Sequence, residues 1–168
     1  MTKFKDCLEK LQDSEEFKEF KEEHPEAYLA SGFFVADYKG NNNQEQLDYF
    51  LPDKRIASFK FVDNGEEEKI QLQISEQKAK KEMQELEKEP GTNLEELKDV
   101  VKEKLDEENI DEKLKEIIAV VYMLDGELIW NLQCLLPGMK FFNIQIRDKD
   151  KSIKKFKEHS IQDMVKIK

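Results

Sequence analysis

Histidine and cysteine are scarce in this sequence of 168 residues, at two each. His24 and His159 stand far apart, and neither has a second His at i+4. The ligand number and spacing of a zinc site are therefore not assembled. His24 precedes Pro25 and reads as a capping residue at a helix end. Cys7 and Cys134 are too few and too distant for a disulfide framework. Each lies in an apolar pattern and reads as a small buried hydrophobe. Arginine is equally rare, at Arg55 and Arg147, and the many lysines alternate with glutamates. With a net charge of −10 and a pI near 4.9, the chain lacks the clustered basic groups that contact nucleic-acid phosphates or anionic membranes.

Long apolar runs are missing as well. The longest, Ile117 to Leu124, is strand-sized and well short of the roughly 18 residues that suggest a membrane span. Met1 to Cys7 has no apolar signal-peptide core, so the expected location is cytoplasmic. No glycine-rich phosphate loop and no Gly-x-Ser-x-Gly elbow occurs. Asp148-x-Asp150-x-Ser152 begins like a calcium loop. However, Ile153 stands where Gly is required at the sixth position, and His159 where Glu is required at the twelfth. Glu66 to Glu68 and Asp106 to Glu108 read as solvated runs rather than acid–base pairs, which need a cleft to separate their pKa values. The chain is read as a non-enzyme, with no catalytic residue, no metal ligand and no cofactor expected.

What is present supports a folded core. Hydrophobic residues make up 38% and charged residues 39%, and eleven Phe, four Tyr and one Trp give more aromatic area than a disordered chain carries. Sliding the sequence on itself finds a repeat at an offset of 85 residues. Phe33 and Val35 fall on Ile118 and Val120; Leu47, Leu51 and Pro52 fall on Leu132, Leu136 and Pro137; Phe59, Phe61 and Asp63 fall on Ile144, Ile146 and Asp148. The first half opens with a helix carrying Phe4, Leu8 and Leu11. A second helix capped by Asp13 with Glu16 follows, carrying Phe17 and Phe20. Alternating patterns then predict strands near Leu29–Tyr38, Gln44–Leu51, Arg55–Val62 and Lys69–Ile74. Gly40 to Asn43 and Asp63-Asn64-Gly65 are the turn signals between them.

Residues 75–92 hold almost no apolar side chain beyond Met83 and Leu86, and their Glu, Lys, Gln and Ala favour helix. The second half begins at Asn93, an N-cap with Glu96 three residues on, and Leu94, Leu97, Val100, Val101 and Leu105 make an amphipathic stripe. Strands are predicted near Lys115–Leu124, Glu127–Leu136, Lys140–Arg147 and Ser152–Lys157, with a tight turn at Asp125-Gly126. Ile117 to Val121 is apolar on both parities, as in a central strand covered on both faces. Ser160 is placed to cap a last helix holding Ile161, Met164 and Val165. The expected fold class is α+β: two tandem units, each a helix plus an antiparallel β-meander, over residues 1–74 and 93–168. A charged, partly helical linker over 75–92 joins them.

The run Phe142-Asn143-Ile144-Gln145-Ile146-Arg147-Asp148-Lys149-Asp150-Lys151-Ser152-Ile153, with Trp130 in the preceding strand, resembles the closing segment of a PepSY-type domain. That segment ends in an Asp-x-x-Thr-Gly-like turn; here the Gly is absent and Ser152 sits near its place. Phe61-Val62-Asp63-Asn64-Gly65 is a looser likeness in the first half. The chain is also similar to uncharacterised two-unit proteins encoded by archaea. The resemblance implies a PepSY/cystatin-like fold and a module that binds or inhibits another protein without an active site.

One surface stands out. Asn131 and Gln133 share a parity on one predicted strand, and Asn143 and Gln145 share one on the next. If those strands pair, the four amides gather on the sheet face away from the helix, with Ser58, Lys60, Gln71 and Gln73 as a less regular set in the first half. A wet face is ordinary for an antiparallel sheet, but amides both donate and accept hydrogen bonds and suit recognition. These four are the candidate binding residues. The function expected is protein or peptide binding through sheet faces or edges, with another protein or a second copy as partner. The alternative is a small-molecule-binding α+β protein whose pocket between helix and sheet is lined by Trp130, Tyr49, Tyr122 and Glu127.

Overall fold

Two periodicities partition the chain. Apolar residues recurring every three or four positions build helices, and strict alternation builds strands. The computed structural model describes residues 3–40, 42–63 and 67–160. Within them lie α1 (Phe4–Asp13), α2 (Glu15–Glu23), β1 (Tyr28–Asp37), β2 (Gln44–Phe50), β3 (Ile56–Asp63), β4 (Glu68–Ile74), α3 (Leu94–Glu107), β5 (Glu116–Leu124), β6 (Glu127–Leu136), β7 (Lys140–Arg147) and β8 (Ile153–Ser160). Each strand lies within a few residues of the position its alternation predicts. The turn at Asp63-Asn64-Gly65, part of the Gly40–Asn43 turn and the helix after Ser160 lie outside the described residues. No helix among the described residues is long and apolar enough to cross a membrane.

Caps fix the helix starts. Ser14, not Asp13, caps α2: its Oγ accepts from Phe17 N at 3.2 Å, because α1 runs on through Asp13. Asn93 and Glu96 form the reciprocal capping box of α3.

Two tandem units do not form. β1 pairs antiparallel with β5 from Ser31 opposite Tyr122 to Asp37 opposite Glu116. All eight strands therefore belong to one antiparallel sheet, in the order β4-β3-β2-β1-β5-β6-β7-β8. The physical reason lies in β1 and β5. In separate sheets each would expose a long apolar edge with unpaired N–H and C=O groups, and pairing them removes both edges at once. The antiparallel pairings on either side of this seam have corresponding registers. Leu47 stands opposite Phe59, and Leu132 opposite Ile144.

The three helices cover one face of the sheet. Phe4 of α1 packs on Phe34, while Phe17 and Phe20 of α2 pack on Tyr49 and Phe59. α3 buries Leu94, Leu97, Val101 and Leu105 in the same core, and its Lys104 ammonium lies over the Phe156 ring of β8. One continuous core results, with Phe59, Leu132, Cys134 and Ile144 fully buried and Trp130 nearly so. The helical layer is also where acidic charge collects, since α2 and α3 together carry eleven carboxylates against five lysines.

The linker is not helical either. Residues 75–93 contain no helix and cross one end of the sheet as a strap. Ser75 N donates to Ile56 O at 2.9 Å, Ala79 N to Lys54 O at 2.8 Å and Leu86 N to Leu29 O at 2.8 Å, and the Tyr28 hydroxyl donates to Met83 O. Leu86 packs against the core and Pro90 is buried. A solvated helix of this length is marginal in water, so a few tenths of propensity per residue lose to these tertiary anchors.

Asp148, in the turn after β7, fastens the far end of the strap. Its carboxylate accepts from Gly91 N at 3.1 Å, Thr92 N at 3.0 Å and Trp130 Nε1 at 3.0 Å, and its carbonyl accepts from Thr92 Oγ1. Asp148→Ala strands the buried indole N–H and two backbone donors. It is expected to cost about 3 kcal/mol in urea unfolding, since hydrogen bonds to a charged group contribute about 1.5–3 kcal/mol each. Amide exchange at Gly91 and Thr92 should accelerate in the variant while that of β1 does not. Unchanged stability would show that the clasp contributes nothing.

Candidate functional site

The pairing of β6 with β7 sets Asn131 opposite Gln145 and Gln133 opposite Asn143. All four candidate amides thus meet on the sheet face away from the helices, because their strand neighbours Leu132, Cys134, Ile144 and Ile146 point into the core. Gln133 is exposed and the other three are half-buried. None of the four makes a side-chain hydrogen bond to another described residue, and Asn131 Oδ1 is buried without a partner. A buried polar atom without a partner is uncommon, because leaving it so costs about 1–3 kcal/mol.

Across the seam the same face behaves differently. Gln46 Nε2 donates to Asp48 Oδ1 at 2.9 Å and Ser31 Oγ donates to Asp48 Oδ2 at 3.2 Å, so this amide is engaged within the chain. Ser58 and Lys60 stand opposite Gln73 and Gln71 on the outer strands, as their parity predicts.

Between the two polar zones runs an apolar strip. The registers place Phe33 beside Val120, and Val35 beside Ile118. Ile118 and Val120 are half-buried, not fully covered as two-parity apolarity suggested. β5 is central within the sheet, but among the described residues only one of its faces meets helices. The strip continues through Ile118, Leu135 and Phe141 into a recess of about 470 Å³ beside the β6–β7 turn. Met139 in that turn is 70% exposed and left-handed, with φ 64°. This recess was not legible in the sequence. Its only signal was Pro137-Gly138 followed by an apolar residue where a polar turn residue is usual.

The residues proposed for a pocket between helix and sheet do not come together. Trp130 and Tyr49 are packed inside the core, whereas Glu127 lies on the other side, where its carboxylate meets Arg147 Nε at 3.0 Å and also Lys149 and Lys154. Tyr122 stands next to Ser31 on that outer face. The calcium-like run serves the fold instead: Asp148 is the clasp, and Asp150 accepts from the Ser152 backbone and hydroxyl. The described residues contain no group of three His, Cys, Asp or Glu side chains placed to hold a metal. His159 stacks on Phe141, with ring centres 5.1 Å apart.

The two open edges are guarded. β4 carries Glu68 and Lys69, and β8 carries Lys154, Lys155 and Lys157, charges that oppose pairing with a further strand.

No family model matches the chain, and no curated protein matches it. Among solved structures, a candidate lipoprotein from Clostridium difficile 630 shares the chain path with a TM-score of 0.54. The likeness covers 86% of this chain and 90% of that one at 13% identity. Similarity at this level concerns the fold alone.

Both cysteines are buried and unpaired. Burial pushes the Cys134 thiol up to about 12. Burial first, and then its hydrogen bond to the Glu45 carboxylate, raises the Cys7 thiol as well. Both groups stay protonated at neutral pH and are poor nucleophiles. Ellman's reagent should leave both thiols unmodified in the native protein and titrate both in guanidinium. The shifts also set a pH dependence. Their contribution is fully present below the ordinary thiol value of 9.0 and is lost as pH rises past it, because only the unfolded chain then ionises freely. A thermal midpoint that holds constant well above that pH, or rapid native labelling, would contradict the burial.

Proposed function

We propose that this chain is a non-enzymatic binding module that engages a protein or peptide through the sheet face away from its helices. One observation carries the reading: four amides meet on that face beside an apolar strip, and none of them makes a side-chain hydrogen bond to another described residue. Half-buried apolar groups supply contact area, and unengaged donors and acceptors supply orientation. The resemblance to the closing segment of PepSY-type domains belongs to this reading, and the Asp148 turn beside Trp130 supports it. So does the repeat at 85 residues, taken as a duplicated strand order within one sheet and supported by the registers Leu47–Phe59 and Leu132–Ile144. A cytoplasmic location is part of the proposal, supported by two unpaired thiols.

A face rather than an edge is preferred, because both edges carry charges that oppose strand addition. The small-molecule alternative has less support: aromatic side chains fill the space between helices and sheet, and the four residues proposed to line a pocket are divided between the two faces.

The combined variant Asn131→Ala, Gln133→Ala, Asn143→Ala and Gln145→Ala tests the reading. Far-UV circular dichroism should be unchanged, with stability altered by no more than about 1 kcal/mol, because these side chains make no side-chain hydrogen bond to another described residue. Affinity capture from the source lysate should recover at least one protein with the native chain that the variant loses. Equal recovery by a folded variant would exclude the amide face as the binding surface.

A further inference from the structure

Resting on the binding role proposed above, we infer that the recess at the β6–β7 turn and the lysines of β8 together receive an acidic protein segment bearing one apolar anchor. The recess has an apolar floor of Ile118, Leu135 and Phe141, with Met139 standing exposed at its rim. Held in a left-handed conformation in a short turn, Met139 packs against little of its own molecule. A large, flexible apolar side chain in that position suits contact with a partner.

Charge selects the class of segment. The chain holds 38 carboxylates against 28 basic residues, yet the residues lining the recess include Lys115 and Lys140 and no Asp or Glu. Two ladders lead from the strip to the edge of the sheet. Ile118, Gln133, Asn143 and Lys157 follow one another across β5 to β8, and Val120, Asn131, Gln145 and Lys155 do the same one pleat away. Lys155 and Lys157 are exposed, and neither pairs with a carboxylate among the described residues. The opposing charges are at the ends of the strands. Glu116 stands at the start of β5 opposite Leu135, Glu112 before β5 meets Lys140 at 3.7 Å, and Glu127 is already held by Arg147, Lys149 and Lys154, which leaves Lys155 and Lys157 as the β8 lysines without a described carboxylate partner.

The ladders also set a spacing. Three strand separations at about 4.8 Å place the β8 lysines about 14 Å from Ile118, which an extended peptide at about 3.3 Å per residue spans in four or five residues. An apolar side chain seated in the recess therefore brings carboxylates four or five positions along onto Lys155 and Lys157, with the amides meeting the intervening backbone. Nucleic acid fits poorly, since a few lysines without arginine on a chain of net charge −10 make too small a basic footprint.

The test uses the full chain and three fluorescein-labelled peptides of about ten residues, read by anisotropy. The first carries one Leu followed by Glu at the fourth and fifth positions beyond it; the second has Lys in place of those Glu; the third has Gly in place of the Leu. The first should bind at least about tenfold tighter than either control, and raising salt from about 50 to 500 mM should weaken it severalfold. Lys155→Glu with Lys157→Glu should abolish that preference. Lys155→Gln with Lys157→Gln serves the same purpose should the charge reversal disturb β8, with circular dichroism reporting the fold. Equal binding of all three peptides, or binding of the first that both lysine variants leave intact, overturns the acidic-segment assignment. A concentration-dependent doubling of solution mass that the lysine variants abolish overturns it too, in favour of a second copy. Loss of peptide preference alongside amide-dependent capture from lysate would discard this assignment and leave the broader binding reading standing. Capture that ignores the amides would remove the broader reading itself.

Discussion

The antiparallel pairing of β1 with β5 is the constraint on which the rest of this molecule depends. It joins two runs of four strands into one sheet, with Phe34 directly opposite Ala119 at the seam. Without it, each run would end in an apolar edge strand with a row of unsatisfied backbone groups. With it, residues far apart in sequence share one core, so that Phe34 packs against both Phe4 and Trp130. The helices are then committed to a single face, while on the other Val35, Phe50 and Ile129 are buried without a helix over them.

The strap over residues 75–93 follows from the same seam. Chain leaving β4 at one edge must reach α3 on the far side of the centre, and it does so across the strand ends. It is held there by bonds to the starts of β3 and β1 and by the Asp148 clasp. Its many Glu and Lys residues remain solvated, Pro90 and Thr92 are buried, and Ala79, Met83 and Leu86 are half-buried. Backbone donors and a carboxylate, rather than apolar burial, hold this segment in place.

The uncovered face divides into zones of different chemical character. Around Asp48 the polar groups satisfy one another. Around Asn131 they do not, and the neighbouring recess is apolar with a basic rim. Acidic groups crowd the helical side instead. The two sides of the sheet thus differ in charge and in polarity, and net charge alone describes neither of them.

Alternation by itself determined where the strands lie and which side chains share a face, because side chains repeat every two residues whatever a strand pairs with. Asn131, Gln133, Asn143 and Gln145 were placed on one face by that rule, and Asn93 with Glu96 marked a helix start through purely local hydrogen bonds. Tertiary structure decided what pairs with what. That β1 meets β5 depends on contacts some 85 residues apart, for which local pattern carries no register. The strap lost its helical propensity to anchors distant in sequence, and Ser14 rather than Asp13 became a cap only because α1 ran one residue further. The recess at Met139 is a shape made by three strands and a turn. No single segment encodes such a shape, since it exists only where their side chains converge.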